Sequence, residues 1–143
     1  MLPVEDSRRM VEALVERAVA AGAETADALY AGDSSTSVQV RLGELEHVNR
    51  SEGEEVGLRV FLGTKSATVA SSDFSDEVLG ELVTRALAMA AEAPEDPFAG
   101  LAPPDLLHRG ALPDLDSVDV ADPDPGELRE RALAALGKST LTA

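Results

Sequence analysis

The chain has 143 residues, no cysteine and a net charge of −15, from 27 acidic against 12 basic side chains. That length suits one domain with a real core, and the missing cysteine excludes disulfides, thiolate metal sites and a Cys nucleophile. The acid excess, with no basic stripe anywhere, argues against direct nucleic-acid binding, which needs Lys and Arg brought to the phosphates.

The N-terminus has no basic region followed by an apolar run, and no stretch reaches the length of a membrane helix. A cytoplasmic protein with no membrane partner is therefore expected. Tyr30, Phe61, Phe74 and Phe98 are the whole aromatic set, so Ala, Val and Leu build the core.

Residues 5–21 read as an amphipathic helix. Val11, Leu14, Val15, Ala18 and Val19 recur at three-and-four spacing, and Gly22 stands where a helix commonly stops. From about residue 25 to residue 72 the period changes to two. Val38, Val40 and Leu42 alternate with Gln39 and Arg41; Val56, Leu58, Val60 and Leu62 alternate with Gly57, Arg59 and Phe61; Ala67 and Val69 alternate with Ser66 and Thr68. Weaker segments near residues 26–31 and 45–50 bring the expected count to about five strands. Breaks are expected at Gly32-Asp33, Gly43-Glu44, residues 51–54 and Gly63-Thr64. Gly at the first central position of a two-residue loop suits a type II′ turn. The spacings leave no room for crossover helices, so the sheet is expected to be largely antiparallel.

A second helix opens at Ser75, carries the stripe Leu79, Leu82, Val83, Ala86, Leu87 and Ala90, and ends before Pro94. Ser75 is expected to cap it with its hydroxyl. Helix, about five strands, helix is an α+β pattern, with a largely antiparallel sheet and helices on one face. Seven of the eight prolines then lie between Pro94 and Pro125, which predicts an extended segment. A third helix is signalled by Asp124 as N-cap, Pro125 at the first helical position and Glu127 three residues after the cap, and is expected to stop at "GKSTLTA". The expected organisation is an α+β core over residues 1–93, a Pro- and Asp-rich extended segment over 94–123, and a C-terminal helix with a truncated tail over 124–143.

Four features invite a chemical reading, and each has a stronger structural one. His47 and His108 are the only imidazoles, far apart and without partners at helical spacing, so a zinc site with its three or so protein ligands is not supported. Asp114, Asp116, Asp119, Asp122 and Asp124 fit no register of a calcium loop and read as a solvated linker. The Gly137–Thr140 stretch "GKST" lacks the earlier glycine of a phosphate loop, Ala132 standing in its place. Lys65 with Ser71, Ser72, Asp73 and Ser75 could suggest a Ser–Lys pair, but a lysine at an exposed turn is protonated and a poor base. The same residues stitch a hairpin to a helix cap. No catalytic, metal-binding or cofactor-binding residue is assigned.

The pieces "GELE", "GLRVF", "SATVASSDFS", "APEDPFAGLA" and "PDLD", in this order, resemble the N-terminal domain of the TldD/PmbA peptidase family, on its PmbA/TldE side. The likeness runs to about Ala135. It implies a cytoplasmic two-subunit metallopeptidase acting on unfolded or small peptides, also known as a modulator of DNA gyrase. Zinc is expected on a TldD-like partner subunit, with none held by this chain. The resemblance further implies a fragment or isolated domain, since the family's large C-terminal domain does not follow. On this reading the chain is a non-metal subunit domain serving assembly and substrate access, inactive alone. The alternative is a free-standing acidic protein-interaction module, gyrase-modulator-like, without peptidase activity.

Overall fold

A computed structural model describes residues 1–111, 113–116 and 121–139. Helix α1 (Val4–Ala20) buries Leu14 and Ala18, with Met10, Val11 and Val15 half-buried along the same stripe. Its end is a complete Schellman motif. The Ala23 N–H donates to the Ala18 carbonyl at 3.0 Å and the Gly22 N–H to the Val19 carbonyl at 3.1 Å. Gly22 takes φ 117°, a conformation that L side chains rarely adopt, and this is why the stop falls at this residue.

Three strands follow: β1 (Thr25–Arg41), β2 (Glu44–Leu62) and β3 (Lys65–Ser71), in the order β1-β2-β3. β2 and β3 are antiparallel, with Val56 opposite Ser71, Leu58 opposite Val69 and Val60 opposite Ala67. The about five strands expected from the sequence are therefore three. Gly32-Asp33 and residues 51–54 are not turns but run inside β1 and β2. Neither Gly32 nor Gly53 has a positive φ. They mark close approach instead: a Cβ on Gly32 would stand 2.9 Å from Met1 Cγ, and one on Gly53 would stand 2.9 Å from Asp33 Oδ1.

The first turn is also displaced by one residue from the expected Gly43-Glu44. Leu42 (φ 52°) and Gly43 (φ 84°) are the two central residues, both left-handed as a type I′ hairpin requires. Gly63, at φ 62°, opens the second turn where the sequence places it.

Helix α2 (Asp76–Glu92) buries Leu79, Leu82, Val83, Ala86 and Ala90. These join Leu14, Ala18, Ala23, Ala26, Val56, Leu58, Val60 and Val69 in one core. The even-numbered residues of β2 between Val56 and Val60 thus face the helices. Phe61 is a finding against the alternation. By parity it faces away from this core, yet it is buried, with the Arg59 guanidinium 5.2 Å over its ring. Helix α3 (Pro125–Ser139) runs through Gly137, two residues beyond the start of its expected stop. Lone glycine removes no backbone donor, so it weakens a helix without ending it.

The fold is α+β, with an antiparallel three-stranded sheet and three helices. The chain divides into two compact units, Met1–Asp33 with Gly53–His108, and Ser34–Glu52 with Arg109–Ala143. The first holds the core just described. The second holds the distal β1–β2 hairpin and α3, with Val38, Val40, Leu128, Ala132 and Leu133 half-buried. No helix among the described residues is long and apolar enough to cross a membrane.

Candidate functional site

The corner after β3 is a fastening built from short local bonds. The Ser71 hydroxyl accepts from the Asp73 N–H and donates to the Asp73 carbonyl, both at 3.0 Å. The Asp73 carboxylate in turn accepts the Ser75 N–H at 2.8 Å. That bond first, and the Ser75 hydroxyl second, hold the Asp73 carboxyl below its ordinary range. Ser75 occupies the N-cap position of α2, but its hydroxyl makes no capping bond to the helix. The expected capping role is corrected: Asp73 orders the approach to the helix, and Asp76 and Glu77 supply negative charge in its first turn. Asp76 also pairs with Arg17 of α1.

Lys65 is not part of that corner. It lies at the opposite end of β3, seven strand residues in all, which places it about 20 Å from Ser71 at ~3.3 Å per residue. Its ammonium donates to the Ala91 carbonyl at 2.9 Å, at the C-terminal end of α2. It satisfies a helix-end carbonyl and complements the helix dipole there. The serine–lysine arrangement is therefore not assembled.

The other sequence features are likewise dispersed. His47 is exposed on β2 in the second unit, and His108 is exposed at the end of the first. Asp114 accepts the Asp116 N–H at 3.0 Å, and Asp124 accepts the Glu127 N–H at 2.9 Å while Glu127 accepts the Asp124 N–H at 3.3 Å. The latter pair is a reciprocal capping box for α3. Asp119 and Thr140 lie outside the described residues. Among the described residues no group of three His, Asp or Glu side chains converges as metal ligands do.

Two arrangements were not legible in the sequence. In the first unit Tyr30 and Glu54 clasp the start of the chain. The Leu2 N–H donates to the Glu54 carboxylate at 2.7 Å and to the Tyr30 hydroxyl at 2.9 Å, and the Met1 amine lies 3.3 Å from Glu54. The Tyr30 hydroxyl donates to the same carboxylate, and the Tyr30 ring meets Phe74 edge-on, centroids 6.0 Å apart. The Tyr30 bond holds Glu54 below the usual carboxylate range; burial first, then Glu54, raises the Tyr30 hydroxyl. The only signal for this pair is parity, each lying an even number of residues from core positions on its own strand. In the second unit Ser37, Val38, Gln39, Val40 and His47 line a groove of about 630 Å³ with Ala132, Ala135 and Leu136 of α3. It is shallow and apolar and gathers no set of catalytic groups.

Residues 26–90 match the family described as PmbA/TldA metallopeptidase domain 1. These residues hold most of the sheet and most of α2, so the likeness is to the first domain of a metallopeptidase family. The chain is 34% identical over 131 residues to the metalloprotease PmbA homolog of Haemophilus influenzae, covering 92% of this chain and 29% of that one. It is 32% identical over 135 residues to metalloprotease PmbA of Escherichia coli, covering 92% and 30%. The chain thus spans less than a third of the length of these relatives. Its fold is similar to part of a proposed modulator of DNA gyrase from Bacteroides thetaiotaomicron, with TM-score 0.84, 18% identity, and coverage of 96% of this chain and 31% of that one. It is also similar to part of TldE from Thermococcus kodakarensis, with TM-score 0.67, 16% identity, and coverage of 92% and 29%. These likenesses support an N-terminal domain of the PmbA/TldE type.

Proposed function

We propose that this chain serves as the N-terminal domain of a PmbA/TldE-like subunit that binds no metal itself. Its partner is a TldD-like subunit carrying the zinc, and the pair cleaves unfolded or small peptides in the cytoplasm. The domain's part is assembly of the two subunits and control of peptide access. One observation carries the reading. Relatives named as metalloproteases align over 92% of this chain, yet its described residues offer no converging metal-ligand set. A domain of such a protein whose described residues gather no metal-ligand set acts through what it holds in place.

The test is co-expression of the tagged chain with the TldD-like subunit of the same genome, followed by co-purification, zinc analysis and a peptide-cleavage assay. The expected outcome is a stoichiometric complex, with zinc and cleavage absent from the purified chain alone. One zinc per chain, or zinc-dependent cleavage by the chain alone, would overturn the proposal.

A further inference from the structure

The Tyr30–Glu54 clasp grips a charged group as well as a backbone amide. The Leu2 N–H at 2.7 Å, the Met1 ammonium at 3.3 Å and the Tyr30 hydroxyl all point at the Glu54 carboxylate. The Tyr30 hydroxyl also accepts the Leu2 N–H at 2.9 Å, and Phe74 meets its ring edge-on.

Gly32 supplies the room for this arrangement. Its φ is not positive, so no left-handed backbone calls for glycine there. A Cβ would stand 2.9 Å from Met1 Cγ and 3.1 Å from the Tyr30 hydroxyl, closer than side chains ordinarily approach. Glycine inside a strand weakens it and is found where another group comes close; here that group is the Met1 side chain. A carboxylate, a phenol and an open floor thus enclose a methionyl α-ammonium and the amide that follows it.

The chemistry of the site separates two forms of the same nitrogen. An ammonium brings a full positive charge and three donors to Glu54, and its bonds there are charge-assisted. An acylated nitrogen brings no charge and one donor, and sets a carbonyl oxygen beside the carboxylate. We propose that the clasp is a switch read by the chemical state of the Met1 nitrogen. An ammonium closes it; acylation, by an acetyl group or by a preceding residue, opens it. The consequence falls on α1. The Asp6 and Ser7 N–H groups both donate to the Pro3 carbonyl at 3.0 Å, so the helix begins one residue beyond the clasp, and no side chain caps it. With the clasp open that first turn loses its anchor and frays.

The experiment takes one chain before and after a tag is cleaved immediately ahead of Met1, so that the same nitrogen passes from peptide to ammonium. Hydrogen exchange of the Asp6 and Ser7 amides is followed by NMR, with thermal melts alongside. Exchange should slow about tenfold on cleavage, and selective acetylation of the new amine should restore the faster rate. In Glu54→Gln and in Gly32→Ala the same cleavage should change exchange by less than about twofold. The Leu79 amide of α2, bonded to the Ser75 carbonyl at 2.9 Å, should not respond in any form. Should Glu54→Gln melt below the working temperature, Gly32→Ala carries that arm. The helix dipole alone predicts the opposite sign, since positive charge ahead of a helix start weakens its first turn. Equal exchange in the two forms, or faster exchange in the ammonium form, therefore overturns the inference. A slowing that persists in full in Glu54→Gln and Gly32→Ala overturns it as well, because the charge would then be felt elsewhere.

Discussion

Leu58 is the residue at which the account of the core is most exposed to refutation. It is fully buried at the centre of the three strands, opposite Val69, and its parity points it at α1 and α2. Leu58→Ala removes three carbons, worth about 2.4 kcal/mol at ~0.8 kcal/mol for each buried methylene. Core neighbours held by helices and sheet relax only in part, so the cavity adds to this and the total should fall near 3 to 4 kcal/mol, within the roughly 2.7–5.0 range of comparable substitutions. For a chain of this size that corresponds to a melting temperature lower by about 10 °C. Leu29→Ala, on the face turned away from the helices, should change stability by less than about 0.5 kcal/mol. Urea unfolding followed by far-ultraviolet circular dichroism measures both, with the denaturant slope as a check that only stability has moved. A loss below about 1 kcal/mol for Leu58→Ala, or equal losses in the two variants, would mean that the buried face of the sheet has been misassigned.

Three further outcomes are expected. Asp124→Ala should cost about 1 kcal/mol of local stability in α3, and Asp124→Asn much less, read by hydrogen exchange of the helix amides; equal protection in all three proteins refutes the capping box. At the other helix start Ser75→Ala should cost less than about 0.5 kcal/mol, because its hydroxyl caps nothing, whereas Asp73→Ala releases the turn that leads into α2 and should cost more. The clasp makes stability depend on pH at both extremes. Glu54 is held below its ordinary value near 4.5, so its contribution is complete above that value and is lost as pH falls through the lowered one. Tyr30 is raised above its ordinary 10.0, so its contribution is complete below that value and is lost as pH rises through the raised one. Glu54→Gln should flatten part of the acid limb and Tyr30→Phe part of the alkaline limb in pH-dependent melts, and unchanged limbs would refute the clasp.

How much of this could be read from the residues depended on how far each interaction reaches along the chain. The helices were legible because a 3.6-residue stripe and its caps are local: Leu79 to Ala90 and the Asp124–Glu127 pair lie within a few turns. The strand count was not. Residues 31–37 and 44–52 are almost wholly exposed, so neither an apolar alternation nor a buried face tells a continuing strand from a loop. There Gly32 and Gly53 imitate turns, while the real turn carries a leucine that propensity would not choose. The serine–lysine corner misled in a similar way. Lys65 and Ser71 are close in sequence, and only the extension of a strand, more than twice the rise per residue of a helix, carries them to opposite ends of β3. The Tyr30–Glu54 clasp lay beyond reach because it depends on which residues of two long strands come level.

That clasp also decides what light can report about this protein. The chain holds one tyrosine and no tryptophan, so all of its intrinsic tyrosine emission arises from the ring whose hydroxyl donates to Glu54. A carboxylate acceptor draws the proton from an excited phenol and quenches it. An acid titration followed by emission should brighten as Glu54 is protonated and Leu2 is released, while the dichroism of the helices is still intact. The two signals need not share a midpoint, and their separation measures how loosely the first residues are tied to the core.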